Sequence, residues 1–181
     1  MPRRFRADSR ERLQARLARA LAAGAAPPAA ECIHELWMRG EFGLNIERAL
    51  ERLWAVAPAN IPDWLPMRHV EWLPLAYDVA ARCRALQRGC SNLYLVLLDY
   101  HDAGGDPYGV YVGMTDYSPA ERFDQHKAGI RASGSVLKRG LEVLTGPMLH
   151  LQRLSRGEAE RIEAELAEAL RAAGLRVHGG H

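Results

Sequence analysis

Residues 108–129 read YGVYVGMTDYSPAERFDQHKAG, and this stretch decides the fold. Its first seven residues are an apolar run rich in strand formers, followed by a turn and then by a helix with marked ends. Ser118 stands at the N-cap, Pro119 at the first helical position and Glu121 at the third, a capping box with the proline that a first turn accepts. Gly129 marks the stop. Arg122 and His126 are four positions apart, so they project from one side of this helix. An arbitrary Arg/His pair is most simply a solvated face. Here, however, the helix follows Gly113, where a residue without Cβ lets backbone approach a ligand, and helix starts favour anions. An arginine at that place suits a phosphate.

Upstream, NLYLVLLDY is a second strand-forming run, and the turn-rich HDAGGDP joins the two as a hairpin. Downstream, KRGLEVLTG reads as a short helix or turn, and MLHLQRL alternates as a third strand. SRGEAERIEAELAEALRAAG then repeats the capping box with Ser155 and Glu158. The order strand, strand, helix, strand, helix predicts an α+β domain over 91–181. Residues 1–90 read differently. Leu13, Leu17 and Leu21 recur every four residues in a helix ending near Gly24, and GAAPPAA breaks it. Helical stretches follow at ECIHELWMRG and at NIERALERLWAV, the latter with Asn45 as N-cap. PANIPDWLPMRHVEWLP is an irregular connection, and LAYDVAARCRAL resumes helical spacing. This N-terminal helical region has no assigned role.

At 181 residues, 48% hydrophobic and 25% charged, the chain has the composition of a globular protein rather than a disordered one. The formal net charge is +2, too small to argue for nucleic acid by itself, and it is unevenly distributed. Residues 1–90 carry 14 Lys and Arg against 10 Asp and Glu, whereas residues 91–181 carry 10 against 12. Cys32, Cys83 and Cys90 form no CxxC pair, which argues against a disulfide framework or structural zinc and for a reducing cytoplasm. Arginines interrupt every apolar stretch of the N-terminal arm, so no secretory core forms, and no run is long enough for a membrane span.

Several side chains invite chemistry. Tyr94 and Tyr111 lie on the two hairpin strands; each alone suits sheet packing, and together they suggest a site. A phenol, with a reference pKa near 10, needs a nearby cation to act as a base at neutral pH. Arg122 or a metal can supply it. In the last helix Ala159, Ile162, Leu166, Leu170 and Ala173 mark the buried stripe, and Glu163 falls roughly 55° from its centre while Glu160, Glu165 and Glu168 lie about 100° or more away. Glu163 is the carboxylate expected to face inward, where it suits one hard cation, Mg²⁺ or Mn²⁺. Lys127, Arg131, Lys138 and Arg139 offer a local basic patch for nucleic acid, and Arg3, Arg4, Arg6 and Arg10 add charge in the N-terminal arm.

The hairpin with NLY at 92–94 and YVG at 111–113, R-x-x-x-H at 122–126 and EAERIE at 158–163 together resemble the GIY-YIG nuclease superfamily over residues 91–181. The resemblance implies a small three-stranded antiparallel sheet flanked by helices, and metal-dependent hydrolysis of DNA phosphodiester bonds. It makes Tyr94, Tyr111, Arg122, His126 and Glu163 the catalytic set. Glu163 would hold one divalent ion, Arg122 would neutralise charge on phosphorus, and Tyr111 would activate the attacking water, with His126 as reserve base. Asn92 stands where the family's motif has glycine. Where the family has an asparagine past the glutamate helix, the nearest candidate is His178 in RVHGGH. The alternative expectation is a catalytically inactive module of the same fold that binds nucleic acid or protein, with residues 1–90 available to a protein partner.

Overall fold

The computed structural model describes residues 3–180. The chain forms two compact units, Met1–Pro74 and Leu75–His181. The division lies upstream of the 90/91 change in sequence texture because residues 75–90, though mostly irregular, are tied to the second unit. His150 Nε2 donates to the Ala80 carbonyl at 2.9 Å, and the Gly89 N–H donates to the Arg153 carbonyl at 2.8 Å. Among the described residues no helix is long and apolar enough to cross a membrane.

The first unit holds α1 (Arg10–Ala22), α2 (Ala26–Met38) and α3 (Gly43–Val56). Pro27 and Pro28 do not prolong the break after α1; they lie in the first turn of α2, where the missing N–H and fixed φ are compatible with helix. That helix is apolar almost all round and buries nine side chains from Ala26 to Trp37. Among them is Glu35, whose carboxylate accepts from Arg3 at 2.8 and 2.7 Å and from Arg39 at 2.7 Å. In α3 the buried stripe is Ile46, Ala49, Leu50 and Leu53, the spacing of one helix face. The helix begins earlier than expected, with Phe42 as N-cap, and Asn45 donates to Glu41 Oε1 instead of capping.

The second unit opens with α4 (Leu73–Ala80), whose first turn contains the division between the units and which ends before Cys83. A four-stranded mixed sheet follows, in the order β3-β1-β2-β4. The hairpin is β1 (Asn92–Asp99) and β2 (Tyr108–Thr115), antiparallel, with Tyr94 opposite Gly113 and Val96 opposite Tyr111. Strand β1 is central, and Leu93 to Leu98 are all buried, which explains its unbroken apolar sequence. Helix α5 (Pro119–Lys127) begins at Ser118 with the complete capping box.

The expected three-stranded antiparallel sheet is corrected in two places. The third strand is β3 (Gly140–Val143), inside the stretch expected as helix or turn, directly after α6 (Gly134–Arg139). The predicted strand at 148–154 is instead the end of α7 (Thr145–Met148) and an irregular segment. Its buried residues, Met148, Leu151 and Leu154, recur every three positions, and Arg153 has φ +60°. Neither property belongs to a pleated strand. One isolated bridge, Ser91 with Leu154, remains of the pairing. The second correction is β4 (Val177–Gly179), which runs parallel to β2 and turns an antiparallel sheet into a mixed one.

Helix α8 (Arg156–Ala172) buries Ala159, Ile162, Glu163, Leu166, Ala167 and Leu170. Ser155 is its N-cap residue but makes no side-chain cap bond. Glu158 is drawn away to accept from the Leu86 N–H at 3.4 Å, so the second capping box does not form.

Candidate active site

The centre of the second unit is a short chain of polar contacts within an aromatic core. Tyr94 is 1% exposed, and its hydroxyl oxygen lies 2.9 Å from His126 Nε2. His126 is equally buried and accepts at Nδ1 from the Ser133 backbone N–H at 2.9 Å. A nitrogen that accepts carries no proton, so the neutral imidazole holds its proton on Nε2 and donates it to the Tyr94 oxygen. Burial first, and then the charge of Arg122, lower the His126 pKa to about 4. The ring is therefore neutral near pH 7 with both nitrogens engaged. In this arrangement neither nitrogen of His126, the expected reserve base, is left without a partner.

Gly113 makes this cluster sterically feasible. A Cβ there would lie 2.6 Å from Tyr111 Cε1 and 2.8 Å from Tyr94 Cζ, so the two rings occupy the space a side chain would take. The absent Cβ thus admits tyrosines, not a ligand. The rings of Tyr94 and Tyr111 are 5.9 Å apart between centroids, and Tyr111 meets His126 edge-on at 5.9 Å. Asn92, in the glycine position of the motif, pins the start of the strand: its side chain donates to the Tyr117 carbonyl at 2.8 Å and accepts from the Arg153 N–H at 2.9 Å.

Outside this core opens a cleft of about 530 Å³. Tyr111, Arg122 and His126 form part of its wall, together with Arg131, Ser133, Ser135, Arg171 and His178. Three arginines and no carboxylate line it, although the C-terminal half of the chain is acidic in sum. The Arg122 guanidinium is held in place by donating to Gln125 Oε1 at 3.0 Å and to the carbonyls of Ile130 and Arg131 at 3.2 and 2.7 Å. Arg171 donates to the Gly179 carbonyl at 2.7 Å.

Glu163 is 8% exposed and faces the sheet, as its place near the buried stripe predicts. Its charge acts on Tyr111. Burial raises the Tyr111 pKa most, hydrogen bonding with Tyr94 lowers it, Glu163 raises it and Arg122 lowers it. Tyr94 is raised more strongly, again by burial first. All five expected catalytic side chains therefore share one electrostatic neighbourhood. Tyr111, Arg122 and His126 reach the cleft wall; Tyr94 lies behind it.

Among the described residues no group of three or more His, Cys, Asp or Glu side chains converges. A cation at Glu163 would have this one carboxylate as its protein ligand and would draw its other ligands from water or substrate oxygens, as Mg²⁺ commonly does.

The expected basic patch is not one surface. Arg131, with φ +45°, lines the cleft. Lys127 donates to the carbonyls of Leu137 and Gly140, at 3.3 and 3.1 Å. Arg139 pairs with Asp102 at 2.7 Å and borders a separate hollow of about 390 Å³ shared with Lys138, Asp99 and His101. Arg171, Ser133 and Ser135 were not foreseeable as site residues, because no local pattern sets them apart from ordinary helix and loop positions. His178, the candidate for the family's asparagine, does reach the cleft. It stands opposite Tyr111 in the β2–β4 pairing, and its Nε2 lies 2.6 Å from the Tyr100 hydroxyl. Burial first, then Arg176, Arg171 and Arg139, lower its pKa.

No family model matches this chain, and no curated protein or solved structure matches it either.

Proposed function

We propose that the unit Leu75–His181 is a metal-dependent endonuclease domain of the GIY-YIG type that hydrolyses DNA phosphodiester bonds. The observation that carries the reading is the carboxylate-free cleft in which Tyr111 and the fixed guanidinium of Arg122 stand together, with the Glu163 charge acting on the same phenol. A phosphodiester in this cleft meets Arg122, Arg131 and Arg171, whose charge opposes the negative charge that grows on the phosphoryl oxygens. Arg122 is preorganised by its carbonyl contacts, so little reorganisation is needed at the moment of reaction. Tyr111 orients the attacking water and takes its proton, while Tyr94 and His126 hold the Tyr111 ring in place. When bound at Glu163, a divalent ion supplies positive charge that favours the Tyr111 phenolate and screens the phosphate.

The test is incubation with single-stranded, duplex and branched DNA in Mg²⁺ or Mn²⁺. Cleavage by the wild type that EDTA abolishes is expected, and Glu163→Gln and Arg122→Ala should each lower it by about 10²-fold or more while melting normally. Absence of cleavage on every substrate, or variants that cut as well as the wild type, would overturn the reading. A second reading, a nucleic-acid-binding module without cleavage, draws on the raised Tyr111 pKa, which disfavours the phenolate. Binding with a steep salt dependence and no cut in either metal would establish it.

A further inference from the structure

The proposed reaction needs a proton as well as a base, because the departing oxygen leaves as an alkoxide unless it is protonated. His126 has no nitrogen left to give one. His178 is the other imidazole on the cleft, and it is exposed. Its Nε2 is engaged by the Tyr100 hydroxyl at 2.6 Å, with the two rings stacked at an interplanar angle of 10°. Its Nδ1 has no hydrogen-bond partner among the described residues. In the tautomer in which the Tyr100 hydroxyl donates to Nε2, the neutral ring carries its proton on Nδ1.

Tyr100 is unusual in its own surroundings. The guanidinium of Arg139 lies 4.4 Å from its ring centroid and that of Arg176 lies 4.3 Å away. Arg139 is paired with Asp102, whereas the hydrogen bond of the Arg176 guanidinium among the described residues goes to the Gly104 carbonyl, at 3.4 Å. The two guanidinium groups over this one ring place positive charge on both sides of the Tyr100 side chain. The backbone is fitted to this placement as well. Gly179 has φ +81°, and a Cβ there would run into the Val112 carbonyl oxygen, so only glycine lets β4 lie against β2 with His178 beside Tyr111.

Resting on the nuclease reading, we propose that His178 is the general acid of the reaction and that Tyr100 is its proton relay. As the bond from phosphorus to the leaving oxygen breaks, that oxygen takes the proton from His178 Nδ1. Nε2 takes the proton of the Tyr100 hydroxyl in the same movement, leaving a neutral imidazole and a phenolate between Arg139 and Arg176. A solvent proton restores the pair between turnovers. Tyr111 and Arg122 thus serve the attacking side, and His178, beside Arg171, serves the departing side.

A sulfur leaving group tests this, since a thiolate departs without protonation. The substrate is the DNA that the wild type cuts, compared with the same oligonucleotide carrying sulfur in place of the bridging oxygen that the product ends identify as leaving. His178→Gln and Tyr100→Phe are expected to slow cleavage of the oxygen substrate by about 10²-fold and of the sulfur substrate by less than about threefold. Arg122→Ala, which acts on phosphorus, should slow both. Equal losses on the two substrates in the His178 and Tyr100 variants, or no loss on oxygen, overturn the relay while leaving the nuclease standing. A wild type that cuts neither substrate removes both.

Discussion

Replacing Gly113 by alanine puts the central packing to the test without reference to any activity. The added Cβ would sit 2.6 Å from Tyr111 Cε1 and 2.8 Å from both Cζ and the hydroxyl oxygen of Tyr94. Ordinary carbon contacts begin near 3.4 Å, so at least one ring must move by roughly 0.6–0.8 Å in a close-packed interior. Tyr94 is 1% exposed and bonded to the buried His126, and Tyr111, although it lines the cleft, is packed edge-on against the same imidazole, so a shift of either ring disturbs the His126 contacts. Overpacking of this kind costs about 1–3 kcal/mol, and loss of the Tyr94–His126 hydrogen bond adds about 1. The expected destabilisation of about 2–4 kcal/mol corresponds to amide exchange in β1 and β2 that is about 30- to 1,000-fold faster. Hydrogen exchange at Leu95 and Val112, paired in the middle of the sheet, reads this directly. Protection of Gly113→Ala within about twofold of wild type would show that the rings are not wedged over the glycine, and the account of the site would fail with it.

His126 should stay neutral down to about pH 4, with nitrogen NMR showing the proton on Nε2; a midpoint near 6.5 or a proton on Nδ1 would contradict the assigned contacts. Because its folded pKa lies below the unfolded one, the unfolded chain takes up a proton that the fold refuses, and stability of the second unit should fall as pH drops from about 6.5 toward 4. In the first unit, burial pushes the Glu35 carboxyl up, but Arg3 and Arg39 outweigh it and the net pKa is lowered. Its stabilising contribution is full above the ordinary glutamate range and is lost as pH falls through the lowered folded value. Glu35→Gln should cost about 2–3 kcal/mol in urea unfolding followed by tryptophan fluorescence, since Trp37, Trp54, Trp64 and Trp72 all lie in that unit. Ser118→Ala should lower stability by about 1 kcal/mol, whereas Ser155→Ala, at a cap position without a cap bond, should change it by less than about 0.5. Equal losses in thermal melts of the two variants would overturn that contrast.

What the sequence determined by itself is whatever depends on neighbours along the chain. The hairpin, the capped α5 and the amphipathic α8 follow from strand-forming runs, a capping box and a helical stripe, and the same stripe placed Glu163 inward. Arg122 and His126 share a helix side for the same local reason. The short strands were not legible. GLEV and VHG are too brief and too rich in glycine to carry an alternating pattern, and they become strands only because β1 and β2 present edges that need partners. MLHLQRL carried a strand-like alternation, but burial every third residue and the left-handed Arg153 overruled it. Tertiary structure also decided the chemistry of the histidines. Both are imidazoles beside a tyrosine, yet the Ser133 N–H occupies one face of His126 and closes it, while His178 stays exposed on the cleft. Which nitrogen of a ring is free depends on atoms brought from distant parts of the chain, and no spacing in the sequence records that.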